Sequence, residues 1–497
     1  MPTADCRLPI HGSRLPVNCR LPIHDSRFTI HEMNTTSVIA IFDIGKTNKK
    51  LFLFDEQYNI VLERTEQFDE ITDEDGDACE NITALTNWVN ECLLQIFLDK
   101  KLRVRALNFS TYGASFVHVD YEGTPVAPLY NYLKPFPADL QEQFYKKYGG
   151  EIAFSIHTAS PVLGNLNSGL QLYRLKYQKP ELFDQIRYSM HLPQYMSYLV
   201  TGRAYSDITS IGCHTGLWNF PQNHYHEWIY REGVNEKLAA IFPSDQLMFS
   251  QWQGHALLTG VGLHDSSAAL IPYLFHFTEP FVLLSTGTWC ISLNPFNQTR
   301  LTYEELQQDC LCYMEYRGKP VKASRLFAGY EHEQQTKRLA AHFNVAPDYY
   351  KTVAYNAELI TGSSSITDAA AGSKAGKSAM VQESAFGKRE LNSFAGYEAA
   401  YHQFMADLMT QQVASLNLVL HNSPVKKIFV DGGFGRNPLY MHLLANAFPT
   451  HEVYAASIAQ ASSLGAALAV HSSWNKKNPS SELIDLKQYK ATGVMTL

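Results

Sequence analysis

The amino-acid sequence predicts an α/β protein with two large domains. Apolar runs of strand length alternate with amphipathic stretches of helical period, and a chain of 497 residues is long enough for two or three hydrophobic cores. Glycine-containing turns follow several of the strand-like runs. The composition, 45% hydrophobic and 18% charged, is that of an ordinary soluble protein. A formal net charge of -7 with no basic block argues against a nucleic-acid footprint and favours small-molecule partners. No apolar run reaches the roughly 18 to 20 residues needed to span a bilayer, so no membrane anchor is expected. The eight cysteines are scattered. Only Cys310-Leu-Cys312 is closely spaced, without a second pair or a histidine at zinc-ligand spacing, so a metal clip is not expected and a reducing cytoplasm fits best.

Along the chain, residues 1–32 repeat Cys6-Arg-Leu-Pro-Ile-His11 as Cys19-Arg-Leu-Pro-Ile-His24. These units are too short to bury a face and lack a signal-peptide core. The leader is therefore read as disordered, with translation expected to begin naturally at Met33. Val38-Ile-Ala-Ile-Phe42 and Leu51-Phe-Leu-Phe54 then flank Asp43-Ile-Gly-Lys-Thr-Asn-Lys-Lys50, a hairpin tip with Gly45 at the reversal. Backbone N–H groups at such a tip can face an anion, Lys46, Lys49 and Lys50 add positive charge, and Asp43 suits an Mg2+ shell. A plain solvated turn rich in lysine is the competing interpretation.

An acidic turn-rich stretch follows from Asp69 to Asp77, then a helix near Leu85 to Leu98 and a strand from Val104 to Ser110. Tyr112-Gly113 ends that strand, Phe116 to Asp120 forms another, and Glu122-Gly123 makes a hairpin turn. Helices are expected at Gln171–Tyr177, Leu182–Arg187 and Pro193–Thr201. Thr259-Gly-Val-Gly-Leu-His-Asp-Ser266 offers Asp265 as a general base, or as the N-cap of a helix starting at Ser266. A hinge near Pro272 to Pro280 leads to a second α/β unit at Phe281 to Thr288. Gly362 to Lys377 is small and polar and should be an exposed loop. Tyr397 to Leu420 is expected as a long helix, Lys427 to Asp431 as a strand running into Gly432-Gly433, and Ser462 to Val470 as a small-residue helix able to pack closely against a sheet.

Taken in order, Asp43–Lys50, Val261–Ala268, Leu284–Trp289 and Val430–Asn437 resemble the FGGY family of carbohydrate kinases. The likeness runs from Val38 to about Val470 and is closest in flavour to the rhamnulokinase branch. Tyr112-Gly-Ala-Ser-Phe116, Leu192-Pro-Gln-Tyr-Met-Ser-Tyr198, His264-Asp265 and Ser285-Thr-Gly-Thr-Trp289 carry that closer likeness. The resemblance implies two ribonuclease-H-like domains of the actin, Hsp70 and sugar-kinase superfamily, with ATP and sugar meeting between them. It implies an N-terminal sugar-binding domain at 33–277, a nucleotide-binding domain at 278–475 and a tail at 476–497. Asp265 matches the family's base, which accepts a proton from a sugar hydroxyl as it attacks the terminal phosphate. ATP falls to Lys46, Thr47, Asn48 and Lys50 in the first hairpin and to Thr286, Gly287, Gly329, Gly432, Gly433 and Asn437, with Mg2+ at Asp43.

On the sugar side Tyr112, Gly113, Ser115, Asn131, His264 and Asp265 are the implied contacts. Here the chain departs from its relatives. Tyr112-Gly-Ala-Ser115 stands where the branch has Trp-Gly-x-Asp, Tyr130-Asn-Tyr132 replaces an Arg-Asp pattern, and Lys50 stands where Arg is usual, keeping charge without the planar fork. Asn131, Lys134, Asn165, Asn167 and His264 form an alternative polar set for the sugar. The expected activity is ATP-dependent phosphorylation of a ketose, L-rhamnulose or another 6-deoxyketose such as L-fuculose, with a pentulose as alternative. A regulator on the same fold that no longer turns over is the rival of another class. A homodimer is compatible with this class of enzyme.

Overall fold

The computed structural model describes residues 35–360, 384–458, 460–479 and 483–491. The N-terminal repeat and the Gly362–Lys377 stretch lie outside the described residues.

Two seven-stranded sheets share one plan. In the first, Thr36–Ile44 pairs antiparallel with Lys49–Asp55, which pairs antiparallel with Ile60–Glu66. On its other side Thr36–Ile44 runs parallel to Leu102–Thr111, which is followed by His255–Gly260 in parallel and Leu247–Trp252 at the edge. In the second sheet Phe281–Thr286 pairs antiparallel with Cys290–Asn294, which pairs with Pro320–Leu326. Its other neighbour is Lys427–Gly432 in parallel, then Glu452–Ser457. Each sheet thus has a founding strand with a meander on one side and parallel strands on the other. The founding strands are buried on both faces, so they read as continuous apolar runs rather than alternating ones.

The helices cover these sheets for equally local reasons. Asn81 accepts the Ala84 N–H and starts the helix Ile82–Leu98, which buries Leu85, Val89, Cys92, Leu93 and Ile96 along one stripe. Truncating Leu85 to alanine would cost about 2–5 kcal/mol at such a fully buried position. The helix Tyr397–Leu420 spans the expected residues and covers the second sheet. Cys79, Cys92, Cys213, Cys290, Cys310 and Cys312 are buried thiols. Among the described residues no helix is long and apolar enough to cross a membrane.

Three expectations need adjustment. The small-residue helix Ala461–Ala469 makes its tightest contact with another helix, Asp265–His276, because a Cβ on Gly465 would lie 1.8 Å from the Ala268 carbonyl oxygen. These two helices share one core with Ile39 and Ile41 of the first sheet and Leu283 and Phe429 of the second, and so form the layer between the sheets. Pro272 is buried inside the helix Asp265–His276 rather than in a hinge, leaving only residues 277–280 as the connection. The last stretch is not a plain tail, since Asp485–Tyr489 pairs antiparallel with Glu452–Ser457 as the edge strand of the second sheet. The turn at Gly123 is present, its N–H donating to Asp120, while Phe116–Val119 finds its strand partner in Tyr188–His191.

Candidate active site

The first hairpin closes where Gly45 donates its N–H to the Asn48 carbonyl at 2.9 Å, leaving Thr47 and Asn48 exposed at the tip. Asp43, near the end of the founding strand, stands opposite Lys50 and beside Ser110. Its Oδ2 accepts hydrogen bonds from the Ser462 and Ser463 hydroxyls, each at 2.6 Å. Those serines open the helix Ala461–Ala469, so the far end of the chain is tied to the first hairpin. Burial pushes the Asp43 carboxyl above the usual carboxylate range; the serines oppose that rise, the Asp265 charge adds to it, and Lys50 draws it back.

The three lysines of the hairpin do not form one positive cluster facing solvent. Lys49 is buried, with its Nζ 2.8 Å from Glu80 and donating to the Lys46 carbonyl at 2.9 Å. Lys46 pairs with Glu70 at 2.6 Å and with Glu80 at 3.8 Å. Lys50 reaches Glu63 and Gln460, both at 3.4 Å, and thereby links the first hairpin to the turn before the small-residue helix. The expected phosphate charge is therefore largely balanced within the protein. Lys49 in particular belongs to the core, where an unpaired ammonium would be costly.

Asp265 is the first residue of its helix, directly after Leu263–His264, which pairs with the end of Leu102–Thr111. Its Oδ1 accepts the N–H of Ser266 at 2.6 Å and lies 3.3 Å from His264 Nε2. The N-cap position belongs to His264, whose side chain makes no cap bond, so Asp265 stabilises only the N–H of its own neighbour. The Asp265 side chain is 36% exposed whereas that of His264 is 7% exposed, so the carboxylate faces outward from a buried imidazole. A Cβ on Gly113 would meet the His264 ring at 2.7 Å, which explains the glycine. Tyr112 is buried and donates its hydroxyl to Glu80 at 3.2 Å, and the Tyr132 ring lies 6.1 Å from it. Burial and the nearby Asp265 charge hold the Tyr132 hydroxyl above its ordinary value.

On the second sheet, Gly287 donates its N–H to Trp289 across an exposed hairpin tip. Gly329 packs behind that tip so tightly that a Cβ there would sit 1.8 Å from the Gly287 carbonyl oxygen. Gly432 has a φ of +89° and a Cβ would meet the Thr286 carbonyl at 1.9 Å, so only glycine fits. Gly433 donates to the same carbonyl at 2.9 Å. The structure thus joins Thr286, Gly287, Gly329, Gly432 and Gly433 at one rim. Two side chains there also carry structural bonds. The Thr286 hydroxyl donates to the Asp431 carbonyl at 2.5 Å and accepts the Phe434 N–H at 3.0 Å, so it fastens the two strands together. Asn437 caps the helix Pro438–Ala447 by accepting the Tyr440 N–H, and donates to the Tyr401 hydroxyl at 2.8 Å.

Several expected sugar contacts also make structural bonds within the protein. Ser115 is buried, with its carbonyl accepting the Leu192 N–H. Asn131 accepts the Leu133 N–H in a local turn. Lys134 is buried against Asp73 at 2.5 Å, Asp75 at 2.8 Å and Asp77 at 3.1 Å, so it pins the acidic turn to the loop carrying Tyr132. Asn165 donates to the Lys134 carbonyl and Asn167 to the His214 carbonyl. Sequence inspection missed Glu80, Gln460, Ser462 and Ser463 as site residues. The only local signal was a polar Ser-Ser pair at the start of an otherwise apolar helix.

The site can be tested for a metal and a nucleotide. Among the described residues no group of three or more His, Cys, Asp or Glu side chains is arranged to hold an ion. The Asp265 charge nevertheless adds to the cost of ionising Asp43, and a hydrated Mg2+ needs only one or two carboxylates when phosphates supply the rest. The residues present therefore fit a Mg2+–nucleotide: Asp43 would hold the ion's shell, and the exposed Thr47 and Asn48 at the first tip would offer backbone N–H groups. Bound there, the ion would neutralise charge on the transferring phosphate.

Two sheets of one plan, with carboxylates at the end of the first and glycine turns at the end of the second, define a two-domain α/β protein of the ribonuclease-H-like class. The chain belongs to the FGGY family of carbohydrate kinases: residues 38–267 match that family's N-terminal domain, and residues 278–479 match the carbohydrate kinase FGGY C-terminal domain. The rhamnulokinase of Mannheimia succiniciproducens is 22% identical over 267 residues, 51% of this chain and 52% of that protein. The rhamnulokinase of Halalkalibacterium halodurans is 22% identical over 169 residues, 34% of this chain and 36% of that protein. The chain thus spans about half the length, or less, of the curated relatives it matches. Among solved structures, a carbohydrate kinase from Novosphingobium aromaticivorans superposes with a TM-score of 0.71 at 21% identity, covering 92% of this chain and 97% of that one. The ligand-bound xylulose kinase from Lactobacillus acidophilus gives 0.71 at 18% identity, covering 92% and 94%. The two-domain sugar-kinase fold expected from the sequence is the fold observed.

Proposed function

We propose that this protein is an ATP- and Mg2+-dependent kinase that phosphorylates a hydroxyl of a ketose, with L-rhamnulose or another 6-deoxyketose such as L-fuculose as the favoured substrate, in cytoplasmic sugar catabolism. The observation that carries the proposal is the outward-facing Asp265 carboxylate, set at a helix start within electrostatic reach of Asp43 and next to a buried histidine. In the reaction the sugar oxygen bonds to the terminal phosphorus of ATP, its proton passes to Asp265, and the bond from that phosphorus to the bridging oxygen breaks to release ADP. The aromatic pair Tyr112 and Tyr132, with ring centroids 6.1 Å apart, supports a sugar with an apolar methyl end. Family membership and the similarity to rhamnulokinases support the same choice. Likeness to xylulose kinases keeps a pentulose as the alternative.

A second reading, a nucleotide-binding regulator without turnover, is favoured by one observation: Lys46 and Lys49 are committed to Glu70 and Glu80. A panel of ketoses with ATP, read by coupled ADP release, separates the two. Turnover of a 6-deoxyketose is the expected result, and silence across the whole panel favours the regulator. Asp265→Asn is expected to abolish phosphorylation while ATP binding survives; retained turnover refutes the base assignment.

A further inference from the structure

We infer that Ser462 and Ser463 are positioning residues for Asp43: their hydroxyls fix the Oδ2 edge of that carboxylate, leave Oδ1 for the hydrated Mg2+ of a bound nucleotide, and keep it in register with Asp265. The inference rests on the kinase reading above and concerns the same site.

The direction of the two bonds is informative. Both hydroxyls donate to Asp43 Oδ2 at 2.6 Å. Successive residues of an α-helix point about 100° apart, so adjacent side chains do not share a target on its flank. They converge when the target lies off the helix's end, and Ser462 and Ser463 stand in the first turn of Ala461–Ala469. The helix therefore meets Asp43 end-on, with the positive end of its dipole towards the carboxylate. Lys50, opposite Asp43 in the hairpin, donates to the Gln460 side chain just before that turn at 3.4 Å. Among the described residues Asp43 Oδ1 accepts no hydrogen bond, and the residue is partly exposed. One oxygen is held twice and the other is open.

The helix that carries the serines is itself fixed to the segments that carry the base. Gly465, in the next turn, lies against the helix Asp265–His276, where a Cβ would come within 1.8 Å of the Ala268 carbonyl oxygen and 2.6 Å of its carbon. Ala268 is only about 4.5 Å along that helix from Asp265. A second tie runs through Asn108, fully buried in the strand Leu102–Thr111. Its amide N–H donates to the Ala466 carbonyl at 2.9 Å, and its side-chain oxygen accepts the Gly262 N–H at 3.1 Å. Gly262 directly precedes Leu263–His264, and Asp265 follows. The serines thus hold Asp43 from a helix whose place is set by the neighbours of Asp265. One packed unit registers both carboxylates.

The test uses the full chain and Mg2+–ADP, whose binding needs no turnover. Ser462→Ala combined with Ser463→Ala is expected to weaken Mg2+–ADP about tenfold in calorimetric titration, the size of loss that follows removal of groups bonded to a metal-binding carboxylate. ADP without Mg2+ should bind within about twofold of the wild type, because the serines act only through Asp43. Ser462→Thr keeps the hydroxyl and is expected to stay within about threefold for Mg2+–ADP. In an Asp43→Asn background the two alanines should change Mg2+–ADP affinity by less than about twofold. With whichever ketose the panel turns over, the double variant should lose kcat by about tenfold or more while the sugar KM stays within about twofold. Wild-type affinity for Mg2+–ADP in the double variant overturns the inference, as does an undiminished loss in the Asp43→Asn background. An equal loss with Mg2+-free ADP also overturns it, by making the serines structural. Should the double variant fail to fold, Ser462→Ala alone, at a partly exposed position, is read by the same comparisons. A wild type silent on every ketose counts against the kinase reading alone, and the serine dependence of Mg2+–ADP binding then still decides the inference.

Discussion

Asp43 and Ser463 lie 420 positions apart in the chain, and the serine hydroxyl donates to the carboxylate at 2.6 Å. Ser462 makes the same bond beside it. The hairpin that opens the first sheet is thereby tied to the helix that follows the last parallel strand of the second. Burial raises that carboxylate's affinity for a proton above that of an ordinary aspartate.

A sign follows for Asp43. Its folded-state affinity for a proton is raised by burial, so ionisation costs folding free energy as pH climbs above the ordinary aspartate range towards the raised folded value. Asp43→Asn is therefore expected to raise the melting temperature of the nucleotide-free protein at pH 7. The same variant should lose the further rise that Mg2+ with ATP gives the wild type. Differential scanning fluorimetry checks both, and a lower melting temperature in the absence of nucleotide would contradict the assignment of Asp43 as a charge held for a cation.

Gly287 and Gly329 separate steric from functional demand. A Cβ on Gly329 would overlap the Gly287 carbonyl at 1.8 Å, whereas one on Gly287 would meet nothing nearer than 3.9 Å. Gly329→Ala is expected to cost about 1–3 kcal/mol in urea unfolding, as overpacking does, and to weaken ATP binding as well. Gly287→Ala should leave stability within about 0.5 kcal/mol. Equal losses in the two variants would show that packing at the hairpin tip does not depend on Gly329.

The hairpin lysines should divide in the same way. Lys49 and Glu80 are both buried and paired at 2.8 Å, so Lys49→Met leaves a carboxylate without its main partner and is expected to cost about 3–5 kcal/mol. Lys46 pairs chiefly with the well-exposed Glu70, and Lys46→Met should cost under about 1 kcal/mol. Any loss of ATP affinity in the Lys46 variant then reflects the site itself. Urea denaturation and calorimetric titration measure the two quantities, and a stable Lys49→Met protein would remove Lys49 from the core.

Glu232 carries a pH dependence outside the site. Against burial, which raises it, Lys147 and Lys176, each at 2.6 Å, and the hydroxyls of Tyr148 and Tyr177 hold its carboxyl at about 2, below its ordinary value of 4.5. Such a depressed group contributes stability above its unfolded value, and that contribution is lost as pH falls through the folded one. Between pH 4.5 and about 2 the wild type is expected to lose stability more steeply than Glu232→Gln. Chemical unfolding followed by circular dichroism at several pH values checks this, and identical slopes would remove Glu232 from the acid response.

The order of elements was legible in the sequence because periodicity is a local property. Val38 to Phe42 reads as a buried strand, Tyr397 to Leu420 as a helix, and the glycines at 432 and 433 as a turn, since each depends on residues a few positions away. The motif order around Asp43, Asp265, Thr286 and Gly432 likewise carried the family. What each polar side chain does was decided by the tertiary structure. Lys49 meets Glu80, Lys134 meets Asp73 to Asp77, Lys50 meets Gln460, and Asp43 meets Ser462 and Ser463, all pairings set by how sheets and helices stack. A charge near a phosphate-binding tip is available only if no buried partner claims it first. That competition runs through space across tens to hundreds of positions, where no local pattern records it.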